Sequence, residues 1–495
     1  MLLKVRDLNI HTGGPLIAII YSKDADQMDI HYGDRILLKH NNHKAIAVAD
    51  ITHNKNTIRP GIIGLMEELE NKLNAKTGAM VRISIIPKPE STRIIKKKMS
   101  GKRLSYKEFL MVIEEIVHNH LTESELAAFV TACFIHDLTN NEVVSLCKAM
   151  VVTGETLKFK RKPIMDVHCI GGVPGNRTTP IIVSIIAAAG LLIPKTSSRA
   201  ITSPSGTADT VETMANVSLD IKKLKRVVMK TGGAMVWGGA LNLAPADDKI
   251  IRVEHPLNID AEGQMIASVM AKKFAVGSTH LLLDIPIGGT AKVRNVREAT
   301  KLRKRFEYVS KSLGIKTRII FTDGSEPIGN GIGPALEAWD IIKVIKNDKD
   351  APRDHREKSL VMAGIMLEMV SKAKPGRGYE LACGILDSGR ALKKFTQILN
   401  AQGRSPRRML KLGKHVRIYY ASKSGKIAFI DARALSQIAK AAGAPKDTGA
   451  GVYIHHHLKE SVKWGDPLIT VYAQSTEKLH HASEVAKFPA LFRIN

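Results

Sequence analysis

The stretch PIMDVHCIGGVPGNRTTPIIVSIIAAAG, residues 163–190, joins an apolar strand to a glycine-rich loop and then to an apolar helix. We predict Thr179 as the N-cap of that helix, because Pro180 beside it suits the first helical turn. In an open α/β sheet, a loop of this kind lies at the carboxyl ends of the strands, where ligands bind. The stretch therefore predicts an α/β domain with a ligand site at one edge of its sheet.

Strand and helix patterns alternate along the chain after this stretch. AMVWGG, THLLLDIPI and TRIIFT have the composition of buried strands, while DIKKLKRVVMK and EATKLRKRFEYVSKSLG have helical spacing of their apolar residues. Such alternation is typical of a sheet with mostly parallel strands. We assign residues 164–414 to this α/β domain.

Three further domains are predicted around it. Residues 1–88 are β-rich, with short Val/Ile-rich runs between turn-forming clusters, and PKPEST follows as a linker. Residues 415–495 combine strand patterns with the helix ALSQIAKAAG, which indicates an α+β domain. Residues 89–163 form a helical domain in which three helices share one start signal. That signal is a capping box, at Ser105 and Glu108, Thr122 and Glu125, and Thr139 and Glu142.

Composition narrows the functional classes. The 495 residues are 44% hydrophobic and 24% charged, as in ordinary globular proteins. The longest apolar runs are shorter than the ~20 residues of a membrane span, and the N-terminus lacks a secretory signal pattern. We therefore expect a cytoplasmic protein without a membrane partner. The four cysteines form no CxxC pair, which favours buried thiols over a metal or redox site.

The net charge of +27 raises the question of a nucleic-acid partner. Lys and Arg residues are spread along the chain, and aromatic residues that could stack on bases amount to only 5%. A small anionic substrate accounts for the charge equally well. We therefore expect no nucleic-acid partner, since a nucleic-acid-binding protein would gather its basic residues on one face.

Two loops rich in Gly, Ser and Thr are candidates for binding an anion. The first, GGVPGNRTT, carries Arg177 and opens a helix, and a helix N-terminus offers free N–H groups to anions. The second, SSRAITSPSGTADT, carries Arg199 and follows a strand, with a helix predicted to begin near Ser205. Neither loop has the GxxxxGK[ST] pattern of a nucleoside triphosphate site. Together the loops predict a site for a smaller anion.

A third polar stretch is IRVEHPLNIDAEGQMIASVMAKK. It places Ser268 and Lys272 four residues apart, on one face of a helix. Asp260 precedes that helix, and Arg252 is predicted in the loop ahead of it. Periodicity alone also fits a solvated helix face.

The stretches quoted above make the chain similar to a known protein family. The chain resembles the thymidine/pyrimidine nucleoside phosphorylase family in its long form, which includes archaeal AMP phosphorylases and bacterial thymidine phosphorylases. The resemblance covers nearly the whole chain. It is carried by RKPIMDVHCIGGVPGNRTTP, PKTSSRAITSPSGTADT, VWGGALNLAPADDKIIRVEHPLNID, ASVMAKK and GPALEA.

The resemblance implies roles for individual residues. Asp260 matches the proton donor to the leaving base in AMP phosphorylases. His168, Arg177 and Thr179 match the phosphate side, although short-chain relatives carry lysine where Arg177 stands. The implied substrate-binding residues are Gly172, Ser198, Arg199, Ala200, Ile201, Thr202, Ser203, Thr207, Arg252, Ser268, Lys272 and Lys292.

The resemblance also implies architecture and chemistry. The helical domain would be completed by about residues 245–275, residues 164–414 would bind phosphate and carry out catalysis, and residues 1–88 would serve assembly of a homo-oligomer, a dimer or larger. Phosphate is a co-substrate, and neither a cofactor nor a metal is expected. The implied substrate is thymidine, with AMP as the alternative.

Two other classes of protein share some of these features. A phosphoribosyltransferase of the anthranilate type has the same fold, but it would use diphosphate and magnesium and need paired acidic residues near the loops. A nucleic-acid-binding protein would need its basic residues on one surface. Incubation with phosphate and a panel of nucleosides separates the phosphorylase from both.

Overall fold

A computed structural model of the chain shows a mixed α/β protein. The chain divides into two compact units. The first comprises Met1–Thr153 and Ala244–Ser268, and the second comprises Gly154–Leu243 and Val269–Asn495. The structure describes residues 1–13, 16–87, 89–200, 203–257, 259, 261–405, 410–486 and 491–495. Within these ranges, no helix has the length and apolar character needed to cross a membrane.

The first unit begins with a barrel, as the β-rich composition predicts. Its elements are β1 (Leu2–Asp7), β2 (Ile17–Tyr21), α1 (Ser22–Asp26), β3 (Arg35–His40), β4 (His43–Thr52), β5 (Ile62–Leu65), α2 (Glu67–Leu73) and β6 (Met80–Ile85). The barrel closes in the order β1-β5-β2-β4-β3-β6. Alternate side chains such as Leu3 and Val5 of β1 are buried in its core, because successive residues of a strand face opposite sides.

Four helices follow the barrel: α3 (Ser91–Met99), α4 (Tyr106–Val117), α5 (Glu123–Ile135) and α6 (Asn140–Val152). The three predicted capping boxes are confirmed at the starts of α4, α5 and α6. In each, the Ser or Thr hydroxyl accepts a hydrogen bond from the Glu backbone N–H, and the Glu carboxylate accepts one in return. The helix α3 was not predicted, and it begins inside the stretch that we assigned to a linker.

Strands and helices alternate through the next part of the chain. The elements are β7 (Met165–Cys169), α7 (Thr179–Ala188), β8 (Ile193–Ser197), α8 (Thr207–Glu212), α9 (Ile221–Thr231), β9 (Gly233–Trp237), α10 (Pro245–Leu257), α11 (Glu262–Val276), β10 (His280–Ile287), α12 (Val296–Ser312), β11 (Lys316–Asp323), β12 (Gly331–Ile332), α13 (Pro334–Ile345), α14 (Arg353–Met369), α15 (Gly378–Asp387) and α16 (Arg390–Gln402). The helix α10 belongs to the first unit, and the boundary between the units runs through α11.

The strands β7–β11 of the second unit pair in parallel, which confirms the predicted fold class. The strand β10 pairs with β7 and β11 in parallel, and β8 pairs with β9 in parallel. A parallel bridge between Ile164 and Leu192 links the approaches to β7 and β8. The two glycine- and serine-rich loops follow β7 and β8, so they leave the same edge of the sheet.

One local prediction was wrong by one residue. The N-cap of α7 is Thr178, whose side chain makes no capping hydrogen bond, and the predicted cap Thr179 is the first helical residue. The helix of the second loop starts at Thr207 after Gly206, close to the start predicted near Ser205.

Antiparallel strands complete the second unit, as predicted for an α+β domain. The elements are β13 (His415–Tyr420), β14 (Gly425–Ile430), α17 (Ala432–Ala441), β15 (Gly451–Ile454), β16 (Ser461–Val462), β17 (Pro467–Ala473), α18 (Thr476–Val485) and β18 (Phe492–Ile494). They form one sheet ordered β12-β15-β17-β13 and a second ordered β16-β14-β18.

Candidate active site

The first loop, residues 170–178, brings its backbone against the segment that contains Lys292. Gly172 has φ of 87°, in the left-handed region, and a Cβ atom added there would lie 2.3 Å from the Lys292 backbone N. No side chain fits into that space without a shift of backbone. Only glycine therefore permits this contact between two residues that the resemblance assigns to substrate binding.

His168 lies at the end of β7, next to a group of lysines. Burial lowers the pKa of His168 well below its ordinary value, and four lysines lower the pKa further. At neutral pH the ring is therefore uncharged, and it can donate one hydrogen bond and accept another. The four lysines are Lys195, Lys272, Lys273 and Lys292.

Two of these lysines share one carboxylate. Asp166 is fully buried, and its Oδ1 lies 3.0 Å from Nζ of Lys273 and 3.8 Å from Nζ of Lys195. The hydroxyl of Ser278 donates a hydrogen bond of 3.1 Å to the other carboxylate oxygen. Asp166 and His168 are two residues apart on β7, so their side chains lie on the same face. We call Asp166, Lys195, Lys273 and Ser278 the lysine cluster.

Arg177 of the first loop is bound within the protein. Its Nε lies 2.8 Å from a carboxylate oxygen of Glu337, while Nη1 donates to the Asn176 carbonyl at 3.1 Å and Nη2 donates to the Ser205 carbonyl. Burial raises the pKa of Glu337, and the adjacent guanidinium opposes that rise. Glu337 also accepts a hydrogen bond of 2.6 Å from the hydroxyl of Thr210. Arg177 therefore joins the first loop to the second loop and to α13.

Arg199 of the second loop is also paired internally. Both of its terminal nitrogens donate to the carboxylate of Glu212, at 2.6 and 2.7 Å, and one lies 3.2 Å from Asp209. The guanidinium carbon lies 4.7 Å from the ring centre of Trp237, within cation–π range. Hydrogen bonding to Glu212 raises the pKa of Arg199 above its ordinary value. The charge of Arg199 is therefore matched by carboxylates of the same chain.

Two residues of the second loop, Ala200 and Gly206, bind the helix α8 through their backbone. Asp209 accepts hydrogen bonds from the backbone N–H groups of Ala200, at 2.7 Å, and Gly206, at 2.9 Å. A Cβ atom at Gly206 would lie 2.6 Å from the Arg199 carbonyl carbon, so glycine is required there as well. The Ser203 hydroxyl donates to the Ser205 carbonyl at 2.8 Å.

The second unit contains most of the predicted site residues. Ser198 is exposed on the second loop, Thr207 is the first residue of α8, and Lys272 lies on α11. Three predicted site residues lie outside the described residues: Ile201, Thr202 and the predicted proton donor Asp260. The residues found in this unit are His168, Gly172, Arg177, Thr179, Ser198, Arg199, Ala200, Ser203, Thr207, Lys272 and Lys292.

Arg252 and Ser268 belong to the first unit. The prediction of Arg252 in a loop was wrong, because it lies within α10, where its Nη1 donates to the Gly13 carbonyl at 3.2 Å. Ser268 lies on α11, as predicted, and its hydroxyl donates to Asp247 at 2.9 Å.

Reasoning from sequence missed four residues of the ion pairs described above. Glu337, Glu212, Lys195 and Asp166 were not singled out. The lysine that directly follows the apolar run LLIP and lies within the strand IPKTS is a signal that could have found Lys195, since a lysine is rarely buried without a partner. Within the described ranges, no three His, Cys, Asp or Glu residues gather as a metal site.

Comparison with known protein families gives three matches along the chain. Residues 92–154 match the helical bundle domain of a glycosyl transferase family, and residues 161–392 match the a/b domain of that family. Residues 426–488 match the pyrimidine nucleoside phosphorylase C-terminal domain.

Curated relatives match over most of their length. A protein of Legionella pneumophila (strain Paris) named "Putative thymidine phosphorylase" is 46% identical over 431 residues, which is 87% of this chain and 83% of that protein. The "AMP phosphorylase" of Methanococcoides burtonii is 43% identical over 491 residues, which is 98% of this chain and 96% of that protein.

A solved structure shares part of this fold. The anthranilate phosphoribosyltransferase from Thermus thermophilus superposes with a TM-score of 0.53 at 16% identity. The superposition covers 62% of this chain and 98% of that one. At this identity the likeness concerns the fold and carries no statement about the reaction.

Proposed function

Because this chain belongs to the thymidine/pyrimidine nucleoside phosphorylase family, we propose that it cleaves thymidine with phosphate to give thymine and 2-deoxyribose 1-phosphate. As a member of that family the chain is a pentosyltransferase, an enzyme that moves a pentose from a base to phosphate. AMP, cleaved to adenine and ribose 1,5-bisphosphate, is the second candidate substrate.

The observation that supports phosphate binding is the excess of positive charge around His168. The buried side-chain nitrogens of Lys195 and Lys273 share the single carboxylate of Asp166. The first loop follows the strand that carries His168 and leads to the N-terminus of α7 at Thr179, where the free N–H groups of the helix start favour an anion. A phosphate held there would complete the charge balance.

Phosphate can itself stabilise the charge that develops in the reaction. As the bond between C1′ and the base nitrogen breaks, its electron pair goes to the base and positive charge develops on the sugar. The phosphate oxygen that will bond to C1′ stabilises that charge, because preformed electrostatics act most strongly on charge that develops in the transition state. Uncharged His168 can donate a hydrogen bond without adding a further cation to the site.

The base has to leave with its new electron pair compensated. In our proposal Arg252 and Lys272 offset the negative charge on a departing thymine. Asp260 supplies a proton to a departing adenine, because a purine leaves most easily when its ring nitrogen is protonated. A carboxyl group that donates a proton near neutral pH needs a pKa raised by burial.

Charge also favours the second candidate. AMP and phosphate together carry more negative charge than thymidine and phosphate, because AMP brings its own 5′-phosphate. Four lysines around His168 suit the more highly charged pair. The name of the Legionella relative supports thymidine, and that of the Methanococcoides relative supports AMP.

A substrate panel tests the proposal. The purified protein is incubated with and without phosphate, separately with thymidine, uridine, AMP, CMP and UMP, and release of the free base is followed by chromatography. We expect phosphate-dependent release of thymine from thymidine. Release of adenine from AMP alone would replace thymidine by AMP, and no release from any substrate would contradict phosphorolysis.

A variant of the predicted acid separates the two substrates by mechanism. Asp260→Asn keeps the size of the side chain but removes its transferable proton. With AMP as substrate, turnover should fall by roughly 10²–10⁴, the usual contribution of general acid catalysis. With thymidine as substrate, Asp260→Asn should lower turnover much less, whereas Lys272→Ala should lower turnover severely. Asp29→Asn, at a carboxylate that is 93% exposed, is the control and should change neither reaction.

A further inference from the structure

Lys195 is a buried cation in a strand where an apolar residue would ordinarily stand. It follows Ile193 and Pro194 in β8, and it is only 4% exposed. Its nearest carboxylate, that of Asp166, is closer to Lys273, at 3.0 Å against 3.8 Å. The single negative charge of the lysine cluster therefore compensates Lys195 less well than it compensates Lys273.

Within the described ranges, no other acidic side chain of the packed elements compensates Lys195. From β7 it faces Asp166 and His168, and from α11 it faces Lys273. The elements α7 and β9, described over their full length, contain uncharged residues only. The neighbouring helix α9 buries Leu224, Val227, Val228 and Thr231.

We propose that Lys195 is a positioning residue for phosphate, and that it takes up a proton from solvent when phosphate binds at the first loop. The inference rests on the proposed phosphorolysis and adds a residue and a proton to it. In the free protein, part of the Lys195 population is the neutral amine. A bound dianion favours the ammonium form, so the amine gains a proton and the site gains a positive charge that acts on the loop through His168.

The electrostatics of the cluster give the direction of the effect. Burial, and then the charge of Lys273, lower the pKa of Lys195 to about 7. Part of the free protein then carries the neutral amine near pH 7, and a larger part carries it at pH 8. Binding of a dianion should therefore take up less than one proton, and more at pH 8 than at pH 7.

Sulfate is the probe, because its charge stays constant between pH 5 and pH 9 whereas phosphate itself titrates. We would first test whether sulfate inhibits phosphorolysis competitively with phosphate. Calorimetric titration with sulfate in buffers of different ionisation enthalpy then gives the number of protons taken up. Above pH 7, the dissociation constant of sulfate should rise by up to tenfold for each pH unit.

Two substitutions at Lys195 and one matched control isolate the proton. Lys195→Arg keeps a charge that does not titrate, so proton uptake should vanish and the dissociation constant should become independent of pH. Lys195→Met removes the charge, so uptake should vanish and the phosphate KM should rise at least tenfold at pH 6.5. Lys358→Arg is the control, since Lys358 is also largely buried but has its own carboxylate, Asp284 at 2.8 Å. Proton uptake on sulfate binding should persist in Lys358→Arg.

The outcomes separate this inference from the proposed function. Competitive sulfate binding with no proton uptake in the natural protein would overturn the role of Lys195 and leave phosphorolysis intact. Uptake that persists in both Lys195→Arg and Lys195→Met would place the proton on another group and would also overturn it. Failure of both sulfate and phosphate to bind would overturn the inference together with phosphorolysis.

Discussion

Arginine and lysine serve different purposes in the two glycine- and serine-rich loops and in the lysine cluster. In the loops, Arg177 and Arg199 each donate to buried or partly buried carboxylates, and Arg177 also donates to carbonyl groups. In the lysine cluster, the side-chain nitrogens of Lys195 and Lys273 share Asp166. The arginines are neutralised by the protein, while the cluster keeps a net positive charge.

The difference follows from the chemistry of the two side chains. A guanidinium presents several donors in a fixed plane and stays charged, so it can connect three segments of backbone at once. An ammonium is a compact charge whose pKa shifts readily on burial. The loops thus use cations to hold their shape, and the cluster uses cations whose charge can respond to a ligand.

Removal of the Arg177 guanidinium should have the largest effect. Arg177→Met leaves the buried carboxylate of Glu337 without its cation, which should lower the free energy of unfolding by about 3–5 kcal/mol. The phosphate KM should also rise, because the second loop loses its connection to the first. Urea unfolding and initial-rate kinetics measure the two effects.

Two further variants test whether the loss of stability in Arg177→Met comes from the unpaired carboxylate of Glu337. The double variant Arg177→Met/Glu337→Leu should recover most of the lost stability, since an apolar pair can replace a buried ion pair. Arg377→Met breaks an exposed pair with Glu380 and should cost less than about 1 kcal/mol. If Arg177→Met raises only the phosphate KM and leaves stability unchanged, its guanidinium contacts phosphate and is not a structural cation.

Neighbouring glycines of the first loop should differ in their effect on activity. Gly172→Ala places a methyl group 2.3 Å from the Lys292 backbone, so the loop must move. A displacement of about 1 Å in a catalytic site can cost roughly a hundredfold in kcat/KM. Gly171→Ala has a similar φ of 93° but nothing within 4 Å, so it should cost only the strain of the left-handed backbone, about 1–2 kcal/mol of stability. Equal losses of activity would mean that the contact with Lys292 is unimportant.

The sequence predicted the parts of this arrangement that depend on local pattern. The capping boxes at Ser105, Thr122 and Thr139 are complete within four residues, so no distant contact is needed to form them. The alternation of strands and helices predicted parallel pairing and therefore two loops at one sheet edge. These inferences needed only the order of residues along the chain.

Partners far apart in the sequence could not be predicted in this way. Arg177 and Glu337 are separated by 160 positions, and nothing in either local pattern indicates that they meet. The position of Arg252 was predicted wrongly for a different, local reason. Proline usually ends a helix, but Pro256 lies in the last turn of α10, so the helix extends past Arg252. The order of strands and helices predicts which loops lie at the same edge of the sheet. It does not predict which charged side chains form ion pairs.

The pH dependence of stability should distinguish the lysine cluster from the arginines. Because the pKa of Lys195 is lowered to about 7 in the folded protein, the unfolded chain binds one more proton between pH 7 and pH 10. The contribution of Lys195 to stability should therefore increase as pH rises, by about 2 kcal/mol between pH 7 and pH 9. The arginines should contribute no such change, because they stay charged throughout.

Unfolding by urea at pH 7 and pH 9, without sulfate or phosphate, measures this contribution as the difference between the natural protein and Lys195→Arg. Saturating sulfate should reduce the difference, since the bound anion raises the pKa of Lys195 again. A difference that is the same at both pH values would show that Lys195 is charged in the free protein.

The smallest effect is expected at Arg199, where substitution by lysine keeps the charge but removes the planar fork. Arg199→Lys can make one of the two hydrogen bonds to Glu212 and loses contact area over Trp237. The side chain is 26% exposed, so water replaces part of what is lost, and the free energy of unfolding should fall by about 1 kcal/mol. The matched substitution Arg377→Lys, at the exposed pair with Glu380, should change it by less than about 0.5 kcal/mol. The phosphate KM should change little if Arg199 holds the shape of the second loop. A rise in phosphate KM without a loss of stability would instead place the guanidinium on the anion, and the division between structural arginines and responsive lysines would no longer hold.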